Sequence, residues 1–124
     1  MSNYFSQFNT GYLFELPESL TSKPNEERYL STAKGAEKFA DSIVPVIAFG
    51  VSKNHSEDAV TEENGWVATT EVQINVPEHQ IPVLKKMMAD RNAVKLCKEG
   101  HLGVRFVSYQ NNWGKQWKVE FVDR

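Results

Sequence analysis

Arg105, Tyr109, Trp113, Lys115 and Lys118 fall close together near the end of this chain, where rings and cations alternate in sequence. Residues of these two kinds in one place suit a single-stranded nucleic acid, because rings stack on bases and cations track phosphates. The stretch from Leu102 to Val122 reads as two alternating runs joined by Asn111-Asn112-Trp113-Gly114-Lys115. Side chains alternate along a strand, so Val104, Phe106, Trp117, Val119 and Phe121 are expected on one face. Arg105, Val107, Tyr109, Lys118 and Glu120 take the other, with Trp113 and Lys115 in or beside the turn. Trp66, Tyr12 and Lys53 are candidates to extend the set. The competing reading is structural, with Tyr109 and Trp113 merely covering the end of a β-ribbon.

Other chemistries find less support. Cys97-x3-His101 has a spacing that suits two zinc ligands on a helix, with His55 and His79 as spare donors, but structural zinc needs four. The expectation is no metal and no cofactor. There is no Gly-x-Ser-x-Gly elbow, no phosphate-binding glycine loop and no His-Glu-x-x-His. The pairs Glu26-Glu27 and Glu62-Glu63 read as solvated loop charge. Nothing in the sequence points to an enzyme. Met87-Met88 offers either an adaptable partner surface or, more simply, core.

A chain of 124 residues, 40% hydrophobic and 24% charged, is expected to form a single domain spanning 1–124 with one buried core. The longest apolar run, Ile43 to Val51, is interrupted by Pro45 and falls short of the roughly 18 residues that span a bilayer. The opening residues lack a basic region followed by an apolar one, so secretion is not expected. Cys97 is the only cysteine, which excludes an internal disulfide and fits a reducing cytoplasm. The net charge of −2 conceals an asymmetry. Residues 1–82 hold five Lys/Arg against twelve Asp/Glu, whereas residues 83–124 hold nine against four. A basic segment can act as an electrostatic footprint in an acidic protein, unless folding intermixes the two halves.

The elements expected to position these residues follow from periodicity and punctuation. Asn3 to Leu16, rich in aromatics and closed by Pro17, reads as an opening strand, and Ser19 to Asn25 as a loop. Asn25-Glu26-Glu27 can cap a short helix, and Ala33 to Ser42 reads as a weak helix broken at Gly35. Val44 to Ser52 reads as one strand covered on both faces. Lys53 to Gly65 reads as an exposed acidic loop. Trp66, Ala68, Thr70, Val72, Ile74 and Val76 alternate as one strand closed by Pro77. Glu78 to about Arg91 reads as a helix with Pro82 in its first turn, and Ala93 to Lys98 is ambiguous between helix and strand. Five strands with a helix between the third and fourth is the order of an OB-fold, a small barrel that holds oligonucleotides. The expected class is therefore mainly β, an OB-like barrel with one or two short helices. An α+β sandwich is the alternative.

This strand order and its aromatic-basic ribbon resemble the small single-stranded-DNA-binding proteins of phages and mobile elements. The opening Tyr4-Phe5-Ser6-Gln7-Phe8-Asn9-Thr10-Gly11-Tyr12-Leu13 also resembles the start of replication-associated proteins of integrative elements. The resemblance implies a cytoplasmic binder of single-stranded DNA acting in replication or recombination, and assigns no residue a role. One departure is that the chain closes on Phe121-Val122-Asp123-Arg124, without the acidic tail and terminal Pro-Phe with which many bacterial members recruit partners. A rival expectation is a small phage-type inhibitor that binds a host protein through Glu57, Asp58, Glu62 and Glu63, since charge complementarity selects partners. Homo-oligomerisation through an exposed edge strand or through aromatics near the N-terminus is compatible with either.

Overall fold

The computed structural model describes residues 13–53 and 63–124. The expected opening strand lies mostly outside these residues, and Leu13 to Leu16 within them form turn and coil. Where the sequence predicts a loop, Glu18–Thr21 forms a short helix, α1. Asn25–Arg28 forms α2, Tyr29–Leu30 a two-residue strand β1, and Thr32–Lys38 helix α3. Ser31 caps α3 by accepting the Lys34 N–H at 3.2 Å. Gly35 does not break α3. It lets the helix lie against the sheets, since a Cβ there would stand 2.9 Å from Ile74 and 3.0 Å from Phe106.

The stretch read as one strand, Val44 to Ser52, is two. Val44–Pro45 (β2) and Ala48–Lys53 (β3) belong to different sheets. The backbone changes allegiance between adjacent residues: Val46 N–H donates to the Leu102 carbonyl and Ile47 N–H to that of Ala68. Trp66 to Val76 is also two strands rather than one, β4 (Glu63–Ala68) and β5 (Gln73–Val76). A turn with neither glycine nor proline joins them. The Thr69 hydroxyl accepts the N–H groups of Glu71 and Val72, so a side chain organises the reversal.

The helical stretch after Pro77 begins as a 3₁₀ turn over Glu78–Gln80 and continues as α4 (Ile81–Ala89), with Pro82 in the first turn as expected. The ambiguous segment that follows is a second helix, α5 (Arg91–Lys98), capped by the Asp90 carboxylate on the Asn92 and Ala93 N–H groups. The terminal ribbon is β6 (Leu102–Asn111) and β7 (Gly114–Asp123).

One sheet has the order β1-β5-β4-β3 and the other β2-β6-β7. Among the described residues the two sheets do not close into a barrel. The architecture is α+β, the alternative reading, and the OB-like barrel expected from strand order is not what these ladders form. The reason lies in the sheet switch at Val46-Ile47 and in the extra turn at Thr69, both of which redistribute strands that look continuous in sequence. Phe49, Val67, Ile74, Leu84, Val104 and Val119 are fully buried and form the core. Met87 and Met88 are half-buried against it. No helix among the described residues is long and apolar enough to cross a membrane.

Cys97 is a core residue, 2% exposed, whose thiol donates to the Val46 carbonyl at 3.5 Å. Burial pushes the thiol up to about 11, with the Lys98 charge opposing the rise. A folded value above the unfolded 9.0 stabilises the fold fully below pH 9.0, and that contribution is lost as pH rises through 11. Denaturant unfolding of the parent is therefore expected to lose on the order of 2 kcal/mol relative to Cys97→Ala between those values. Equal losses in both proteins would show that the thiol is not coupled to folding.

Candidate nucleic-acid interface

The ribbon pairs from Leu102↔Asp123 to Asn111↔Gly114, placing each side chain on the face that alternation predicts. Val104 and Val119 are buried, and Phe106, on the same face, stacks on Phe39, the C-cap of α3, with centroids 6.4 Å apart. β2 pairs only with Gly103 and Val104. Beyond Val104, then, β6 has β7 as its only strand partner among the described residues, and the ribbon outruns the three-stranded sheet they form. The tip turns through Asn112 and Trp113, with the Asn111 side chain accepting the Trp113 N–H at 2.8 Å and Gly114 at φ +104. A glycine is required there because only it adopts this φ without strain.

Trp113 is 88% exposed at this tip. An indole left in water contributes almost nothing to folding by burial, so this ring has no packing role among the described residues. Lys115 lies on the core-side face of the ribbon, its Nζ 4.8 Å from the centre of the half-buried Trp117 ring. On the other face Tyr109 is held between the edge of His79, at 5.7 Å, and Lys118 Nζ, at 5.8 Å. Arg105 lies on that face too, paired across the ladder with Glu120. The pair is exposed and therefore weak, and a phosphate can compete for the guanidinium.

The base of the ribbon is fixed by a residue the sequence reading passed over. Among the described residues β7 is an edge strand, and the buried Gln80 carboxamide pairs with the side that faces away from β6. Nε2 donates to the Val119 carbonyl at 2.6 Å and Oε1 accepts the Val119 N–H at 3.0 Å. One side chain thus replaces a neighbouring strand and ties the helical layer to the ribbon.

Trp66 is not part of this surface. It lies on the four-stranded sheet, directly opposite Gly50, with its ring against that glycine, where a Cβ would stand 2.8 Å from it, and its Nε1–H donated to the Ser52 hydroxyl at 3.0 Å. Trp66 borders a cleft of about 480 Å³ on that sheet. The proposed set therefore splits in two: Arg105, Tyr109, Trp113, Lys115 and Lys118 share the ribbon, and Trp66 stands apart. Tyr12 lies outside the described residues, and Lys53 is the last residue of β3.

Of the acidic set, Glu57, Asp58 and Glu62 lie outside the described residues, and Glu63 is engaged by Lys85 at 2.7 Å. The Cys97 and His101 pair diverges, for the thiol points into the core while His101 Nδ1 meets the Arg124 carbonyl at 3.1 Å. No group of three or more His, Cys, Asp or Glu residues that could hold a metal occurs among the described residues. Comparison of the chain with protein families, with curated proteins and with solved structures finds no match.

Proposed function

We propose that this chain is a non-enzymatic, cytoplasmic binder of single-stranded nucleic acid, DNA above RNA, serving the replication or recombination of a phage or mobile element. The observation that carries this reading is the exposed Trp113 at the tip of the ribbon, with Lys115 on one face of that ribbon and Tyr109 and Lys118 on the other. Trp113 and Tyr109 stack bases, and Lys115, Lys118 and Arg105 meet phosphates. Stacking on a ring is tolerant of sequence because every base has a π-face. The Gln80 clamp supports the same reading, since it fixes the ribbon at its root and spares the strand part of the ordering cost.

Fluorescence anisotropy of a labelled strand of about 25 nucleotides tests the proposal. Binding should weaken with salt along a log–log slope near −2, as about three phosphate contacts to a single strand require. Tryptophan emission should be quenched in parallel. Absence of binding at low salt would overturn the reading and turn attention to protein partners.

A further inference from the structure

The cleft beside Trp66 belongs to no feature of the ribbon, and its chemistry is distinct. It has one cation and several carboxamides, set around two rings on a sheet face. Trp66 is held in place, its ring against Gly50 and its N–H tied to Ser52. Tyr29 on β1 is 40% exposed, and its register partner Gln73 faces Ala68, two residues from Trp66 on β4, so Tyr29 and Trp66 lie on one face of the sheet with β5 between them. Arg28 lies over the Tyr29 ring at 4.9 Å and donates Nε–H to Gln73 Oε1 at 2.7 Å. These two contacts fix the guanidinium while its terminal nitrogens bond to no described residue. Asn75, directly opposite Trp66, and Asn64, two residues before it, line the same cleft. Neither carboxamide is engaged by any described residue.

A second surface lies beyond the β3 edge of the sheet and shares no lining residue with the cleft. Trp66 and Met88 both line a small cavity at the β3 side of the sheet, and Met88 continues into a groove of about 340 Å³ along α5. Arg91, Lys95 and Lys98 border that groove at spacings of four and three, which puts them on one helical stripe. Lys95 has only a long, exposed pairing with Glu99, and Lys98 reaches over the Phe14 ring.

We infer that the Trp66 cleft binds one purine base of a single strand, stacked on the indole and read by Asn64 and Asn75, and that phosphates further along the strand, past the β3 edge, reach the α5 stripe. A purine presents the larger stacking face, and a carboxamide pairs bidentately with adenine N6 and N7. The volume suits one nucleotide. The inference rests on the single-strand reading for its ligand class, and adds a base preference at one position to a ribbon that is otherwise sequence-tolerant.

The test uses the intact chain and the NMR signals of its indole and carboxamide N–H groups. Titration with adenosine monophosphate should shift the signals of Trp66, Asn64 and Asn75 saturably while leaving Trp113 in place. Cytidine monophosphate should bind at least tenfold more weakly. Asn64→Ala with Asn75→Ala should remove at least tenfold of the adenosine affinity, with the far-UV dichroism preserved as the check on folding. A short oligoadenylate should bind more tightly than the mononucleotide, and Arg91→Glu with Lys98→Glu should erase that gain without touching mononucleotide binding. No saturation, equal binding of the two nucleotides, or indifference to the asparagine variants overturns the inference. Failure of the ribbon reads differently: the mononucleotide still binds at Trp66, while removing Trp113 leaves the longer strand's affinity unchanged.

Discussion

Trp113→Ala combined with Lys115→Ala is expected to weaken binding of a single strand by about two orders of magnitude. One lost stack accounts for about 1–3 kcal/mol. One lost phosphate contact removes about 0.7 from the log–log salt slope, which at moderate salt is a further factor of roughly five. The same double variant should unfold within about 0.5 kcal/mol of the parent, since Trp113 is 88% exposed and Lys115 is exposed beside it. Affinity and stability thus separate at this pair, as they would not at a core position. Trp113→Phe should keep part of the affinity, because a smaller ring still stacks. Anisotropy titrations at two salt concentrations, with denaturant melts on the same samples, give all of these quantities. An unchanged affinity in the double variant would remove the ribbon tip from the interface.

The ribbon was legible because everything that defines it is local. Each strand alternates on its own, Asn111 and Gly114 mark the turn, and every register pair forms between segments joined by that turn. Trp66 to Val76 misled for the opposite reason. Its alternation runs through Thr69 to Val72, whose β-branched residues read as strand, while the Thr69 hydroxyl folds the chain back. The consequence is concrete. Ile74 and Val76 pair with Val67 and Gly65, neighbours of Trp66 in sequence, and so lie on the opposite face of the sheet from it. Val44 to Ser52 concealed its sheet switch similarly, because the partners that split it, Leu102 and Ala68, are remote in sequence.

The Trp66 cleft was half legible. A tryptophan in an alternating run drew attention, but its companions come from α2, β1 and β5, and β1 is too short to announce itself. One signal was present. Gln73 and Asn75 place polar side chains on alternate positions between buried Val72, Ile74 and Val76, which marks a strand with one polar face. In α5, Asp90 was a recognisable cap for Ala93 to Lys98, and reading it as one would have resolved the helix. Gln80 carried no signal at all. A polar residue after Pro77 reads as solvated, and only the edge of β7, a distant segment, gives it a buried task.

Gln80→Ala is the substitution expected to cost the fold most for the fewest atoms. The parent carboxamide satisfies both the N–H and the carbonyl of Val119, a residue 1% exposed. Each buried backbone group left unpaired costs about 1–3 kcal/mol. Water entering the space vacated by the shortened side chain offsets part of this, so a loss of about 2–4 kcal/mol is expected, or roughly 10 °C in Tm for a chain of this size. Gln80→Met keeps the volume without the amide, and should lose nearly as much, which separates hydrogen bonding from packing. Gln80→Glu can accept the Val119 N–H but places a second carboxylate oxygen against the Val119 carbonyl. Its folded pKa should therefore be raised, so this variant should recover stability as pH falls toward roughly 4 and lose it as pH rises to neutrality. Hydrogen exchange at the Val119 amide should quicken in all three, because that group loses its partner or part of the clamp around it. A Gln80→Ala protein as stable as the parent would mean that β7 holds its place without the clamp, and the ribbon's fixed root would need another cause.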